Sequence, residues 1–230
     1  DVHVTTGSTF ENVALADSAI ATFRDRYEGT RLGRQELYAE ILMDVENALW
    51  SYDNFDKFRK KEKDVPDMKR IVVGVDPAMT SKRTSDETGI VVVGKGSDNR
   101  FYVLDDVTGH YSVDKWASKC INTFYKHSAD RIVVEVNNGG DLVTKVIRDV
   151  NENIPIKSVH ATRGKAIRAE PIAALYEQGK VSHVGNFSAL EDQMTTFDGN
   201  TTKSPDRMDA LVWAMTELNQ HSGIPFWRIS

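Results

Sequence analysis

"RIVVGVDPAM", residues 70–79, decides the reading of the fold. Ile71, Val72, Val73 and Val75 are β-branched, and so apolar a run reads as a buried strand. Gly74 interrupts the run, and Pro77 stops it just after Asp76. A buried strand gains nothing from a carboxylate at its tip unless negative charge is used there. A second run, "RIVVEVN" at residues 131–137, also meets an acid: Glu135 stands between two valines, in a setting that disfavours Glu.

Around these two runs the pattern is regular. Strand signals fall at residues 70–76, 89–94 ("GIVVVG") and 100–107 ("RFYVLDDV"), with "GKGSDN" as the hairpin turn between the second and third. A helix is expected over 113–126, where Trp116, Cys120 and Phe124 recur every four residues. The strand at 131–137 follows, then "GGDLVTKVIRDVNEN" as a helix behind two glycines. A short strand at 156–160, a helix over 165–178 and the extended piece "GKVSHVG" come next, with helices over 188–197 and 204–218 to finish. Three strands in antiparallel order that pass into alternating β and α predict an α/β fold. Its mixed sheet should carry helices on both faces.

Residues 1–65 read differently. "DVHVTTG" is a short alternating strand, and helical stretches follow near 15–27 and 34–50. In the second, Leu37, Ile41, Val45 and Leu49 form an apolar face and Glu40, Asp44 and Glu46 an acidic one. The charged stretch "DKFRKKEKDVPDMKR" (56–70) reads as a linker or an exposed helix. One strand and two helices are too few to bury a core, so the expected division is a remnant of a preceding domain at 1–65 and the main domain at 66–230.

Composition narrows the chemistry. The chain has 230 residues, 40% apolar and 27% charged, which is the balance of a soluble globular protein. It contains no apolar stretch near the roughly 20 residues of a membrane span. It starts at Asp1 with no signal peptide, which reads as a piece of a longer chain. Cys120 is the only cysteine, and the six histidines are scattered, so a metal would be held by oxygen and would be a hard ion such as Mg²⁺ or Mn²⁺. The net charge of −5 repels phosphate, so any nucleic-acid contact needs a local basic patch.

A third acid completes the pattern. In "SPDRMDALVWAM" (204–215), Ser204 suits an N-cap and Pro205 the first helical position, and the helix dipole favours Asp206 in the first turn. Asp209 lies on the same face beside Ala210, Leu211, Val212 and Trp213, and a buried Asp needs a partner. Asp76, Glu135 and Asp209 crowded together raise one another's pKa, and a divalent cation removes the repulsion. Asp86, in "SDETG", and Asp206 are further candidate ligands.

"GVDPA", "VEVNNGG" and "SPDRMDALVWA", in this order over residues 70–220, resemble the nuclease domain of the large terminase subunit of tailed bacteriophages. The resemblance implies an RNase H-like (retroviral integrase-like) fold and an endonuclease that cuts concatemeric double-stranded DNA during packaging. It also implies that Asp76, Glu135 and Asp209 hold Mg²⁺ or Mn²⁺, with two ions expected when DNA is bound. "TTGSTFENVALADSAIATFRDRYEGTRLGRQELYAEIL" resembles the end of the ATPase domain preceding such nucleases. The chain contains no GxxxxGK[ST] phosphate loop, so no ATPase activity is expected of it. The full-length parent should meet a portal protein and a small terminase subunit in the cytoplasm of the infected host, at the procapsid portal.

Two hard cations about 4 Å apart can activate water and stabilise the leaving 3′-oxygen. Asp76 is the candidate bridging ligand, Glu135 and Asp209 each favour one ion, and Asn137 and Asn138 are candidates to orient Glu135 or touch DNA. Lys82, Arg83, Arg163, Lys165 and Arg168 are the candidate phosphate contacts. A Holliday-junction resolvase or transposase-type nuclease of the same fold would share the acids. An actin-fold sugar-kinase-like ATPase would need glycine-rich phosphate turns after the first strand, and "DPAMTSKR" has none. A purely structural module would not need three acids at element ends.

Overall fold

The computed structural model describes residues 48–78, 87–136, 140–199 and 204–220, without the side chains of residues 114, 140 and 141. The run quoted above forms strand β1 (Met68–Asp76), followed by β2 (Gly89–Gly96) and β3 (Phe101–Asp106). Successive pairs among these three are antiparallel. The β2–β3 hairpin closes through a bond from the Gly96 N–H to the Arg100 carbonyl (2.9 Å), with Asn99 at φ +64°. Asn tolerates that left-handed conformation better than most residues.

The remaining strands are β4 (Arg131–Glu135), β5 (Ile156–Val159) and β6 (Val181–His183). They join as parallel partners and give one mixed sheet in the order β5-β4-β1-β2-β3-β6. The helices are α1 (Tyr52–Asp56), α2 (Val113–Lys126), α3 (Gly140–Val150), α4 (Lys165–Glu177), α5 (Ser188–Thr195) and α6 (Asp206–Gln220). The α/β class, the antiparallel start and the helices on both faces all agree with the sequence reading.

Strand alternation divides the core between the two faces. Val73, Val75, Val92 and Val134 pack with Trp116 and Cys120 of α2 and Ile147 of α3. Val72, Val91, Val93 and Val133 pack with Ile172 of α4 and Leu211 and Met215 of α6. The helix α6 lies directly on the strands because Gly74 and Gly89 have no side chains. A Cβ on Gly74 would overlap the Ala210 carbonyl oxygen, and one on Gly89 would overlap that of Asp206.

Trp50, Tyr52 and Phe55 bury themselves in the α6-side core. Phe55 stacks on the His183 ring at 4.8 Å and meets Tyr176 edge-on at 5.6 Å. The charged stretch 56–70 is partly fastened down. Lys60 bridges to Val184, Glu62–Asp64 makes one 3₁₀ turn, and Arg59 pairs with Glu191 (2.7 Å) and Asp56 (2.8 Å). Beneath Arg59 the Tyr176 hydroxyl donates to His183 Nε2 (2.9 Å), and Nδ1 donates to Glu191 (2.8 Å). Burial opposes the Glu191 carboxylate, but the hydrogen bonds from His183 and Arg59 hold its pKa down at about 2. Residues 1–47, which carry the strand and the two helical stretches of the sequence reading, lie outside the described residues. Among the described residues no helix is long and apolar enough to cross a membrane.

Candidate active site

β1 and β4 are parallel neighbours in a register that pairs Val75 with Val134, so the next step along both strands sets Asp76 beside Glu135. Both acids fall on the α6 face, because Val72 and Val133 pack there and side chains alternate. Asp209 arrives from above on α6, 1% exposed, with Asp206 one turn earlier at 5%. The helix begins at Asp206 rather than at Pro205: the Pro205 carbonyl accepts from the Asp209 N–H (2.8 Å) and so stands at the cap. The Ser204 hydroxyl instead accepts a hydrogen bond from Lys165 (3.1 Å).

The electrostatics of the cluster are one-sided. Burial pushes the Asp76 pKa well above the usual carboxylate range. The charges of Asp209, Glu135 and Asp206 push it further, and Lys165 pulls against them. These are the mutual effects that crowded carboxylates exert in a half-buried place.

Two cations from α4 meet this charge. Lys165 Nζ lies 2.5 Å from Asp209 Oδ2, and Arg168 lies 3.0 Å from Asp209 Oδ1 and 3.5 Å from Glu135 Oε2. Burial alone would lower the Lys165 pKa, but Asp209, Asp76 and Asp206 raise it above that of an ordinary lysine. Trp213, one turn beyond Asp209, donates its indole N–H to Glu135 Oε2 (2.5 Å). The Arg168 guanidinium lies over the same indole at 4.7 Å. Glu135 is thus oriented by a tryptophan and held beside an arginine that the tryptophan also positions.

Among the described residues no three acids close around a single point as metal ligands would. Lys165 and Arg168 hold the acids in the arrangement seen. The donor set still suits a hard cation, since it is all carboxylate oxygen, and burial together with its crowded negative charge raises the Asp76 pKa.

Of the other residues singled out in the sequence, Arg163 is exposed in the loop before α4. Lys82, Arg83, Asp86, Asn137 and Asn138 lie outside the described residues. Sequence reasoning named Lys165 and Arg168 only as phosphate contacts and read Trp213 only as a buried neighbour of Asp209. Their helical spacings, 165 to 168 and 209 to 213, put each pair on one face and were the available signal. It also missed Arg207, which pairs with Asp106 (2.7 Å) and Glu87 (3.0 Å) and ties the first turn of α6 to the end of β3.

The strand order and the acid positions define an RNase H-like domain. Residues 73–218 match the family described as terminase RNaseH-like domain, and the chain belongs to that family. Its fold is similar to that of the large terminase nuclease from thermophilic phage G20c (13% identity, 75% of this chain and 99% of that one, TM-score 0.53), a nuclease also solved with bound magnesium. It is similar too to the large terminase of another thermophilic bacteriophage (14% identity, 92% of this chain, TM-score 0.55), of whose length it spans 55%. A third likeness is to a mutant nuclease domain of the large terminase subunit gp2 of bacterial virus Sf6, solved with manganese and beta-thujaplicinol. There the identity is 11% over 73% of this chain and 98% of that one, with a TM-score of 0.56. No curated protein sequence matches the chain.

Proposed function

We propose that the protein is the metal-dependent DNA endonuclease part of a viral DNA-packaging terminase and cuts concatemeric double-stranded DNA. The observation that carries this reading is that Asp76 and Glu135 end adjacent parallel strands beneath α6, which carries Asp209, with the Asp76 pKa raised by burial and by the charges of Asp209, Glu135 and Asp206. The family match supports it, and the magnesium and manganese in the nuclease structures of G20c and Sf6 support use of such ions here.

Two bound divalent ions would supply an activated water and stabilise the leaving 3′-oxygen. Asp76, Glu135 and Asp209 are the residues that would hold them, with Asp76 between the other two and Asp86 and Asp206 as further candidates. Trp213 keeps one Glu135 oxygen engaged and so fixes which way that carboxylate faces. Lys165 and Arg168 neutralise the acids in the metal-free protein. With cations held at Asp209, both side chains would be free beside the cluster to meet the phosphodiester. Lys82, Arg83 and Arg163 remain proposed phosphate contacts. The division at residue 65, the absence of ATPase activity, the portal and small-subunit partners and the site of action at the procapsid in the host cytoplasm belong to the same reading.

The test is conversion of supercoiled plasmid. Purified protein with Mg²⁺ or Mn²⁺ should nick and linearise it, and EDTA should stop the reaction. Plasmid that stays supercoiled across a wide range of metal and protein concentrations contradicts the reading.

A further inference from the structure

At the other end of the sheet from the acids, the described residues enclose a cleft of about 600 Å³ between the 57–66 stretch and the β2–β3 hairpin. Lys57, Lys60, Lys63 and Arg100 line it, against two acids, Asp64 and Asp98. Lys57, Lys60 and Lys63 are exposed and make no ion pair among the described residues. Asp98 is already engaged: it accepts from the Tyr102 hydroxyl (2.7 Å) and the Arg100 N–H (3.1 Å). Arg59, on the same wall, is engaged with Glu191 and Asp56.

Lys57, Lys60, Lys63 and Arg100 outnumber Asp64 and Asp98, so the cleft keeps a positive surplus in a chain whose net charge is −5. It is also held in place. The Phe58 ring sits against Gly179, where a Cβ would overlap its Cζ, and it carries Lys57 (5.3 Å) and Arg100 (5.7 Å) over its centroid. Lys69 and Lys95 extend the charge along the strands. Burial and the nearby Lys69 lower the Lys95 pKa, as crowded cations do.

We propose that this cleft is a second DNA-binding site, which grips the phosphate backbone of the same duplex that the acids cut. The inference rests on the nuclease reading. Spacing favours duplex DNA as the occupant. From Pro66, at the cleft, to Asp76 runs ten residues of nearly continuous strand, about 33 Å at the usual rise. One turn of B-form duplex is about 34–36 Å. β1 itself is buried between α6 and α2, so a duplex that reaches both places runs parallel to β1 outside those helices and presents the same backbone to the cleft and to the acids one turn apart. The contacts are to phosphate, so they carry no sequence preference. They hold the substrate in register over a site whose own charge repels it.

The experiment compares the parent with a Lys57→Gln, Lys60→Gln, Lys63→Gln variant, using fluorescence anisotropy with Ca²⁺ in place of Mg²⁺ and a salt series. Thermal melts check that the exposed substitutions leave the fold intact. On a 30-bp duplex the variant should bind about tenfold more weakly at moderate salt. Its plot of log affinity against log salt should be shallower by about 2–3, since each phosphate contact contributes about 0.9. On an 8-bp duplex, too short to bridge the two places, both proteins should bind far more weakly and the difference between them should shrink. Equal slopes on the long duplex overturn the proposal, and so does an equal loss on the short one. Loss of polyglutamate binding with unchanged DNA binding assigns the cleft to an acidic polypeptide and overturns it as well. Because no cutting is read, an inactive but DNA-binding parent would count against the nuclease reading and leave this comparison intact.

Discussion

Gly74→Ala should disable the protein by moving a helix rather than by touching an acid. The added methyl would overlap the Ala210 carbonyl oxygen and stand 3.0 Å from both the Ala210 carbonyl carbon and the Ala214 Cβ. Two of these are backbone atoms of α6 and no flexible side chain can swing away, so the helix itself has to give. Overpacking of this kind costs about 1–3 kcal/mol. Asp209 is the residue before Ala210, and an outward shift of about 1 Å in a reacting constellation costs on the order of a hundredfold in rate. The assay pairs Mg²⁺-dependent plasmid nicking with a thermal melt. Gly164→Ala serves as the control, because a Cβ there meets nothing within 4 Å and φ is −57°. It should keep full activity and melt within about 1 kcal/mol of the parent, because lower chain entropy offsets the poorer N-cap that Ala makes for α4. If Gly74→Ala cuts and melts like the parent, close approach of α6 to β1 is not what positions Asp209.

Asp209→Asn removes the charge a metal needs and should lower cutting by orders of magnitude. Asp206→Asn keeps a first-turn acceptor, costs about 0.3–1 kcal/mol of dipole interaction and should cut nearly as well; equal losses would show that both acids are ligands. Trp213→Phe keeps the ring under Arg168 but deletes the hydrogen bond to Glu135, and should lower the cutting rate about tenfold with little change in DNA affinity. Glu191→Gln should destabilise the fold at pH 7 by about 3 kcal/mol, the linkage of a carboxyl held at about 2 in the folded state against 4.5. The folded pKa is depressed, so this stability is present above pH 4.5 and disappears as pH falls toward 2. In urea titrations parent and variant should therefore converge across that window, and a constant difference would refute the assignment.

β1, β2 and β4 were legible because each is a β-branched run, and Asp76 and Glu135 because they stand where such runs have no use for charge. Asp76 and Glu135 needed only the inference that two buried strands are neighbours, which the parallel β1–β4 pairing bears out. Other features depend on tertiary contacts that no local pattern carries. Gly74 read as a break in a strand, although a lone glycine in a strand is also the mark of a close backbone approach. The pieces of chain containing Trp50, Tyr52 and Phe55 lacked enough apolar residues for a core of their own, yet those three side chains fill the main one. β6 is three residues long and shows no periodicity, so its place beside β3 was invisible. Charge was the hardest to read. Lys165 and Arg168 look like phosphate contacts in the sequence, and in the folded chain they rest on carboxylates.

The central claim is that the acids at the ends of β1, β4 and α6 form a cation site. Asp76 carries a raised pKa in the metal-free protein, so the folded state holds its proton more tightly than the unfolded chain does, and stability falls as pH rises through that pKa. Asp76→Asn should accordingly raise the melting temperature slightly in EDTA at neutral pH. A cation bound only by the folded state adds about 2.7 kcal/mol at a hundredfold excess over its Kd. The most direct measurement is a thermal melt of both proteins with and without millimolar Mn²⁺. The parent should gain several degrees from the metal and Asp76→Asn almost none; an equal gain in both proteins would contradict the account.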